Sequence, residues 1–377
     1  MTVAAGGGSS RLTVLCLNAG SSTMKAAAYV VGDGPGDEQQ TWRWEGEHAG
    51  ATGVLEALRA DGLGPPDAVG HRVVHGGAAH EAPALVDAAL VAELRALTPL
   101  APLHIPAAIR GIEALAAAMP NVPQVVCFDT AFHRTLPEAA AHLPLPAELW
   151  EQGIRRYGFH GLSYEYVVDR LGAAMLGRAA IAHLGNGASM CAVVDGASVD
   201  TTMGFTPAGG IVMGTRPGDL DPGLLVYLLE QGHDAASLNE LISRRSGLLG
   251  LSGTSADMRE LLAARAGGDP RAELAVTVFC RTLRKQLGAY AALLGGLDTI
   301  VFSGGIGEHA PAVRAEVCTG LEFLGVSIDE VRNCAVGDAD VTVISAAGSA
   351  VTVSVVLTDE DRMVARHTAR LLRAETA

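Results

Sequence analysis

Short apolar runs rich in Val, Ile, Leu and Cys alternate with longer Ala/Leu-rich stretches along the whole chain, a pattern that predicts an α/β protein. Leu12 to Leu17 reads as a strand, Asn18-Ala19-Gly20-Ser21-Ser22 as a turn, and Met24 to Val31 as a returning strand. The same shape recurs far downstream, where Ala179 to Leu184 is apolar, Gly185-Asn186-Gly187-Ala188-Ser189 turns, and Met190 to Val194 resumes. The two turns lie nearly half the chain apart, which hints at an internal duplication, although Asn-Gly turns are also ordinary hairpin turns. Between them the pattern predicts a strand over Asp67 to His75, a helix over Asp87 to Leu97, a Pro-rich crossing from Pro99 to Pro106, a helix ending near Met119, and a strand from Gln124 to Phe128. A Gly-rich loop from Met203 to Gly218 follows, then a helical stretch from Leu224 to Arg244 and a long helix from Arg271 to Leu294. Thr299 to Phe302 reads as a strand and Ser303 to Glu308 as a turn. Val341 to Leu357, broken by Ser, Thr and Gly, reads as strands, and Asp359 to Arg373 as a closing helix.

Length and charge narrow the function. At 377 residues the chain is expected to form about two domains, with 49% hydrophobic and 18% charged residues typical of a globular protein. The formal net charge of −14 argues against a general nucleic-acid binder, because a polyanion needs a basic surface. Any phosphate handled here must meet a local island of positive charge. Lysine occurs only as Lys25 and Lys285, so that island is built mainly from arginine. Six scattered cysteines with no Cys-x-x-Cys pair predict buried thiols in a reducing cytosol. The Gly/Ser/Ala-rich Met1 to Ser10 reads as a floppy tail and not a signal peptide, and no segment reads as a membrane span. A soluble cytoplasmic protein is expected.

Several strings carry chemistry. Asn18 to Lys25 offers small residues, hydroxyls and one cation to an anion, or is an ordinary polar hairpin; it is not a P-loop. His71-Arg72-Val73-Val74-His75-Gly76-Gly77 invites a zinc reading, but a strand would hold the two histidines roughly 13 Å apart. Arg72 is the informative residue there, needing either an anionic ligand or a structural carboxylate. Asp129 follows an apolar strand, where carboxylates face the ligand crevice of open α/β sheets, and a helix cap is its plainer role. His160 lies between glycines in Tyr157-Gly158-Phe159-His160-Gly161, and Arg216 sits in the Gly/Pro-framed Met213 to Asp219 loop, suited to an anion clamp. Gly305-Ile306-Gly307-Glu308-His309-Ala310 loosely fits a dinucleotide fingerprint. Thr358-Asp359-Glu360-Asp361 is a helix cap or a magnesium site.

Taken in order, these strings resemble the acetate kinase family, together with Ala101-Pro102-Leu103-His104, Phe128 to His133, His183 to Gly187 and Met203-Gly204-Phe205-Thr206-Pro207. The resemblance runs from about Leu12 to Ala369. It implies the fold of the acetate and sugar kinase/Hsc70/actin superfamily: two duplicated ribonuclease H-like α/β domains, with the active site in the cleft between them. The implied domains are 11–133 completed by 362–377, and a nucleotide-binding domain over 134–361. The implied activity is reversible, magnesium-dependent phosphoryl transfer from ATP to acetate, giving ADP and acetyl phosphate, in a homodimer; manganese is the alternative metal.

By the same resemblance Asn18 and Glu360 match magnesium positions, Lys25 a nucleotide-phosphate position, and Arg72 the acetate-binding arginine. Asp129 matches the catalytic carboxylate, and His160 and Arg216 the two transition-state stabilisers. His183, Leu184, Gly185, Asn186 and Gly187 match the phosphate turn of the second domain. Asp257, Met258 and Arg259, and Gly305, Ile306, Gly307, Glu308 and His309, match the adenosine-binding segments. His104 matches a histidine near the carboxylate, and Val74, Leu103, Phe159 and Pro207 match the lining of the methyl pocket.

Acetate is already an anion, so it needs charge neutralisation and in-line alignment more than a base. Asp129 then serves as a metal-water or alignment group. One methylene is worth only about 1–3 kcal/mol in such a pocket, which keeps propionate kinase as the alternative. A nicotinamide-dependent oxidoreductase would rest on Gly305 to Ala310 alone, and a non-catalytic actin/Hsc70-like scaffold would leave Arg72 and Arg216 without a purpose. The chain departs from the family at Tyr164, which stands for a His, and at Gly209 for a Glu, His309 for an Asn and Thr23 for a Ser. Tyr164 bears on the hydrogen bonding around His160, and His309 on the adenosine contacts.

Overall fold

The computed structural model describes residues 11–19, 23–34, 36–47 and 50–376; the Met1–Ser10 tail, Gly20 to Ser22 of the first turn and the side chain of Thr23 lie outside the described residues. Chain contacts divide it into two compact units, one running to Ala131 and resuming at Asp359, the other spanning Phe132–Thr358.

The first unit holds strands β1 (Leu12–Ala19), β2 (Thr23–Val31), β3 (Glu38–Glu47), β4 (Ala68–Val73), β5 (Ala84–Leu85) and β6 (Gln124–Phe128), in the order β3-β2-β1-β4-β6-β5. β1, β4 and β6 run parallel, and the other pairings are antiparallel. The parallel strands are covered on both faces, which is why Val14-Leu15-Cys16 and Val125-Val126-Cys127 are uninterrupted apolar runs. β3 instead alternates, with Trp42 and Trp44 packed on a cluster that includes Met24, Val54, Leu58 and Leu115. The closing helix Glu360–Thr376 lies directly against β4: a Cβ on Gly70 would stand 2.5 Å from both Val364 Cγ1 and Thr368 Oγ1. Buried Glu38 ties that helix down, accepting from Arg362 Nε at 3.1 Å and Arg366 Nε at 2.5 Å.

The second unit holds β7 (Arg178–Leu184), β8 (Ala188–Val194), β9 (Ala197–Thr201), β10 (Thr299–Ser303), β11 (Val341–Val343) and β12 (Thr352–Val356), in the order β11-β12-β10-β7-β8-β9. Each strand therefore has a counterpart at the same place in the first sheet, and β7, β10 and β12 form the matching parallel trio. Even the irregularities correspond, with a register shift after Ala28 in β2 and after Ala192 in β8. The duplication suggested by the two turns is a duplication of whole sheet topology.

Some expectations need correcting. β4 stops at Val73, so Val74 and His75 lie beyond the strand. Leu224 to Arg244 is two helices, Pro222–Glu230 and Ala235–Arg244, separated at Gly232 with φ 95° and restarted by an Asp234–Ser237 capping box. Ser303 to Glu308 is not a turn: Gly304–His309 is a short helix. Five of the six cysteines are buried as predicted, but Cys334 is exposed.

Candidate active site

In the first unit the candidate residues gather at the carboxyl ends of the parallel strands, where open α/β sheets place their ligands. Strand register sets Asn18 of β1 between Lys25 of β2 and Arg72 of β4. Asp129 follows β6 directly, its N–H donating to Val73 C=O at 3.0 Å. Arg72 Nε donates to Asp129 Oδ1 at 3.0 Å and Nη2 to Oδ2 at 2.8 Å, a two-pronged pair, while Nη1 donates to Glu360. Burial opposes the guanidinium charge, but Asp129 and Glu360 overcome it and push its pKa up, so Arg72 stays a cation. Lys25 is exposed and pairs with Glu45 at 3.5 Å. Val74 packs against the cluster around Val73 and Phe128. Leu103 and His104 lie just before the helix Ile105–Ala118, with His104 at its cap position.

At the start of the closing helix, Glu360 Oε1 and Asp361 Oδ1 are buried and accept no hydrogen bond from the described residues. Burial first, then the nearby charges of Glu360 and Asp359, raise the Asp361 carboxyl to about 6. Buried carboxylate oxygens without donors are costly, and a hard divalent cation would satisfy them. Carboxylate and amide oxygens from Glu360, Asp361 and Asn18 are the donor type that magnesium takes. Among the described residues no group of three or more His, Cys, Asp or Glu side chains forms a cage. An ion here would complete its shell with water and phosphate oxygens.

In the second unit His160 occupies the left-handed region at φ 58° immediately before the helix Gly161–Leu171. A non-glycine residue holds that conformation only where its surroundings enforce it. Here His133 hydrogen-bonds the Phe159 carbonyl at 3.0 Å, and a Cβ on Gly158 would stand 2.4 Å from the His133 ring. The His160 and His183 rings stack with centroids 4.3 Å apart. The turn Gly185-Asn186-Gly187 is closed by Gly185 N–H donating to Gly187 C=O at 3.0 Å, and Asn186 C=O accepts from Gly214 N–H at 3.0 Å. That second bond ties the turn to the loop carrying Arg216. A Cβ on Gly187 would stand 2.5 Å from Arg216 Nη2 and 3.4 Å from His160 Nε2, so both side chains converge over this glycine. Arg216 Nη1 donates to the Pro207 carbonyl at 2.5 Å, and burial alone pushes its pKa down to about 10. Arg72 is neutralised by carboxylates, whereas Arg216 is a buried cation set on a backbone carbonyl beside an open turn.

The proposed adenosine segments are placed less closely. Leu184 is buried at the end of β7, and a Cβ on Gly304 would meet its backbone at 2.9 Å. Gly304–His309 thus starts against the end of β7, just before the Gly185-Asn186-Gly187 turn. Glu308 accepts from Gly304 N–H at 2.9 Å and Thr358 N–H at 3.0 Å, while His309 is exposed. Gly305 and Ile306 lie in this short helix after β10, late in the chain and not at the opening of a dinucleotide-binding unit. Asp257 caps the helix Met258–Ala266 and pairs with Arg259 at 2.5 Å, with Met258 buried beneath them. No described hydrogen bond joins that segment to the turn. The hydroxyls of Ser163, Ser189 and Thr358, which touch the two stacked histidines directly or through each other, were not singled out from the sequence.

The chain matches the model of the Acetokinase family over residues 47–366. It is 52% identical over 310 residues to the acetate kinase of Rhodopseudomonas palustris, covering 81% of this chain and 77% of that protein. It is 44% identical over 349 residues to the propionate kinase of Citrobacter rodentium, covering 90% and 86%. Its fold superposes on the crystal structure of Porphyromonas gingivalis acetate kinase with a TM-score of 0.82 and 38% identity, over 96% of this chain and 100% of that one. A buried arginine and a histidine poised over a glycine turn, repeated strand topology and these matches lead to one assignment: the chain belongs to the acetokinase family.

Proposed function

We propose that this chain transfers a phosphoryl group reversibly between ATP and acetate, giving ADP and acetyl phosphate. The observation that carries the reading is the convergence of Arg216 Nη2 and His160 Nε2 over Gly187, where a Cβ would stand 2.5 Å and 3.4 Å from them. Acetate attacks through its own carboxylate oxygen, so the barrier lies in bringing two anions together in line. Arg216 and His160 donate to the equatorial oxygens as charge spreads over them. Arg72, aligned by Asp129 and Glu360, is the cation for the acetate carboxylate, and Asp129 holds that guanidinium in plane. Val74, Leu103, Phe159 and Pro207 are the apolar residues assigned to the methyl group, with His104 near the carboxylate. Magnesium, held by Asn18 and Glu360, would neutralise charge on the β- and γ-phosphates when bound.

His183 to Gly187, with Lys25, are assigned to the nucleotide phosphates, and Asp257 to Arg259 and Gly305 to His309 to adenosine. Propionate is the second substrate reading, favoured by the extensive match to a propionate kinase. No described helix is long and apolar enough to cross a membrane, and the cytoplasm, with its ATP, is the compartment that suits this chemistry. A second copy of the chain is the proposed partner. Its support is the helix Pro222–Glu230, which buries none of its residues and exposes Leu224, Val226, Tyr227 and Leu229.

The test is steady-state ADP release by Arg216→Ala. Loss of one donor that acts in the transition state should lower kcat about 100- to 1000-fold with little change in KM for acetate. A rise in KM at unchanged kcat would assign Arg216 to ground-state binding instead.

A further inference from the structure

Each of the two stacked imidazoles is backed by a pair of hydroxyls. His160 Nδ1 hydrogen-bonds Ser189 Oγ at 2.8 Å, and Ser189 Oγ is hydrogen-bonded to the phenol of Tyr164. His183 Nδ1 hydrogen-bonds Ser163 Oγ at 2.8 Å, and Ser163 accepts from Thr358 Oγ1 at 2.9 Å. Tyr164, Ser189 and Ser163 are wholly shielded from solvent. We propose that Tyr164 is a positioning residue which, through Ser189, holds His160 in the tautomer that carries its proton on Nε2, the nitrogen beside Gly187 and Arg216. The inference rests on the reading of His160 as a donor to the phosphoryl oxygens.

The direction of the relay follows from proton counting. A serine hydroxyl has one proton and two lone pairs, and a phenol is the stronger donor of the two. With Tyr164 donating to Ser189, the serine gives its single proton to His160 Nδ1. That nitrogen is then the acceptor, and the neutral imidazole must carry its proton on Nε2. Phosphoryl oxygens offer only lone pairs, so the opposite tautomer would set a lone pair against them. Without the phenol, the Ser189 hydroxyl is released to turn and accept from Nδ1–H, and the tautomer preference is lost.

Position supports the assignment. Tyr164 is the residue four places after His160, and its N–H donates to the His160 carbonyl at 3.1 Å. The helix that His160 begins therefore brings its own tyrosine to the serine behind the imidazole. The phenol ring is packed between other rings, with centroids 6.0 Å from Phe132 and 5.7 Å from His133. A Phe at this position keeps that packing and removes only the hydroxyl.

The experiment is two-bond ¹H–¹⁵N NMR of histidine tautomers in the substrate-free enzyme, with the His160 resonances identified by their loss in His160→Asn, alongside kinetics of Tyr164→Phe, Ser189→Ala and the double variant. The expected result is an Nε2–H tautomer in the parent chain and a mixed or Nδ1–H population in Tyr164→Phe. Its kcat should fall about tenfold, less than deletion of a donor costs, with KM for acetate and ATP held within about twofold. The double variant should lose no more than Ser189→Ala alone, since both changes cut one relay. An Nδ1–H tautomer in the parent, or an Nε2–H tautomer with unchanged kcat in Tyr164→Phe, overturns the proposal. Because the tautomer is read without substrate, these outcomes leave the kinase reading untouched. Absence of acyl phosphate from the parent enzyme would overturn that reading without moving the tautomer.

Discussion

At the scale of single residues, burial decides which groups keep a charge. Asp129 and Glu360 push the Arg72 guanidinium up against burial, whereas Arg216, still a cation at neutral pH, is pushed down to about 10 by burial. A buried cation whose described hydrogen bond goes to a carbonyl oxygen gains much from an arriving anion, which suits the phosphoryl-stabilising role proposed for it. His133 shows the opposite outcome. It is buried against Ser198 Oγ at 2.8 Å and the Phe159 carbonyl, and burial chiefly lowers its pKa to about 4. The folded chain therefore holds it neutral, while the unfolded chain protonates it below about 6.5. Its contribution is complete above that value and is lost as pH falls toward 4. Urea midpoints measured from pH 7.5 to 4.5 should fall more steeply in the parent than in His133→Gln, which cannot titrate there. Equal slopes would contradict the assignment. Arg72, His160 and Arg216 were legible in the sequence because each stands out chemically inside a glycine-framed string. Ser163 and Ser189 were not, because a serine near a turn has no signature until the fold sets a histidine beside it.

At the scale of elements, the parallel strands were legible and most of the edges were not. β1, β6 and β10 are buried on both faces, and that demands the unbroken apolar runs that marked them. β3 carries Arg43 between its tryptophans, with Glu38 before them and Glu45 after, so its polar half hid an edge strand. The helix Pro222–Glu230 is apolar for a different reason, since it exposes Leu224, Val226, Tyr227 and Leu229. A surface of that kind in a chain of net charge −14 calls for a cover. If the cover is a second copy, light scattering should give twice the chain mass of 38.7 kDa, and Tyr227→Asp should return it toward a single chain with its fold intact. A parent chain that is monomeric at micromolar concentration would contradict this.

At the scale of the whole molecule, a short resemblance between two turns proved to be the visible trace of a complete repeat. Each unit has six strands in the same order, with the same parallel trio and a matching irregularity in its antiparallel hairpin. Sequence pattern could not show this, because pairing order depends on contacts between strands far apart in the chain. Composition was equally silent on the unit boundary, for which the expected bounds came from the family resemblance. The chain leaves the first unit at Ala131 and re-enters it at Asp359, with no composition change at either point. What the sequence did carry was the order of its strings, most of which lie within the matched residues 47–366.

The central claim is that a carboxylate is the phosphoryl acceptor, and trapping the product with hydroxylamine tests it most directly. With ATP, magnesium and acetate, the parent chain should form hydroxamate in step with ADP, and Arg72→Ala should lower that rate about 100-fold or more. ADP release that does not depend on acetate and yields no hydroxamate would contradict the account.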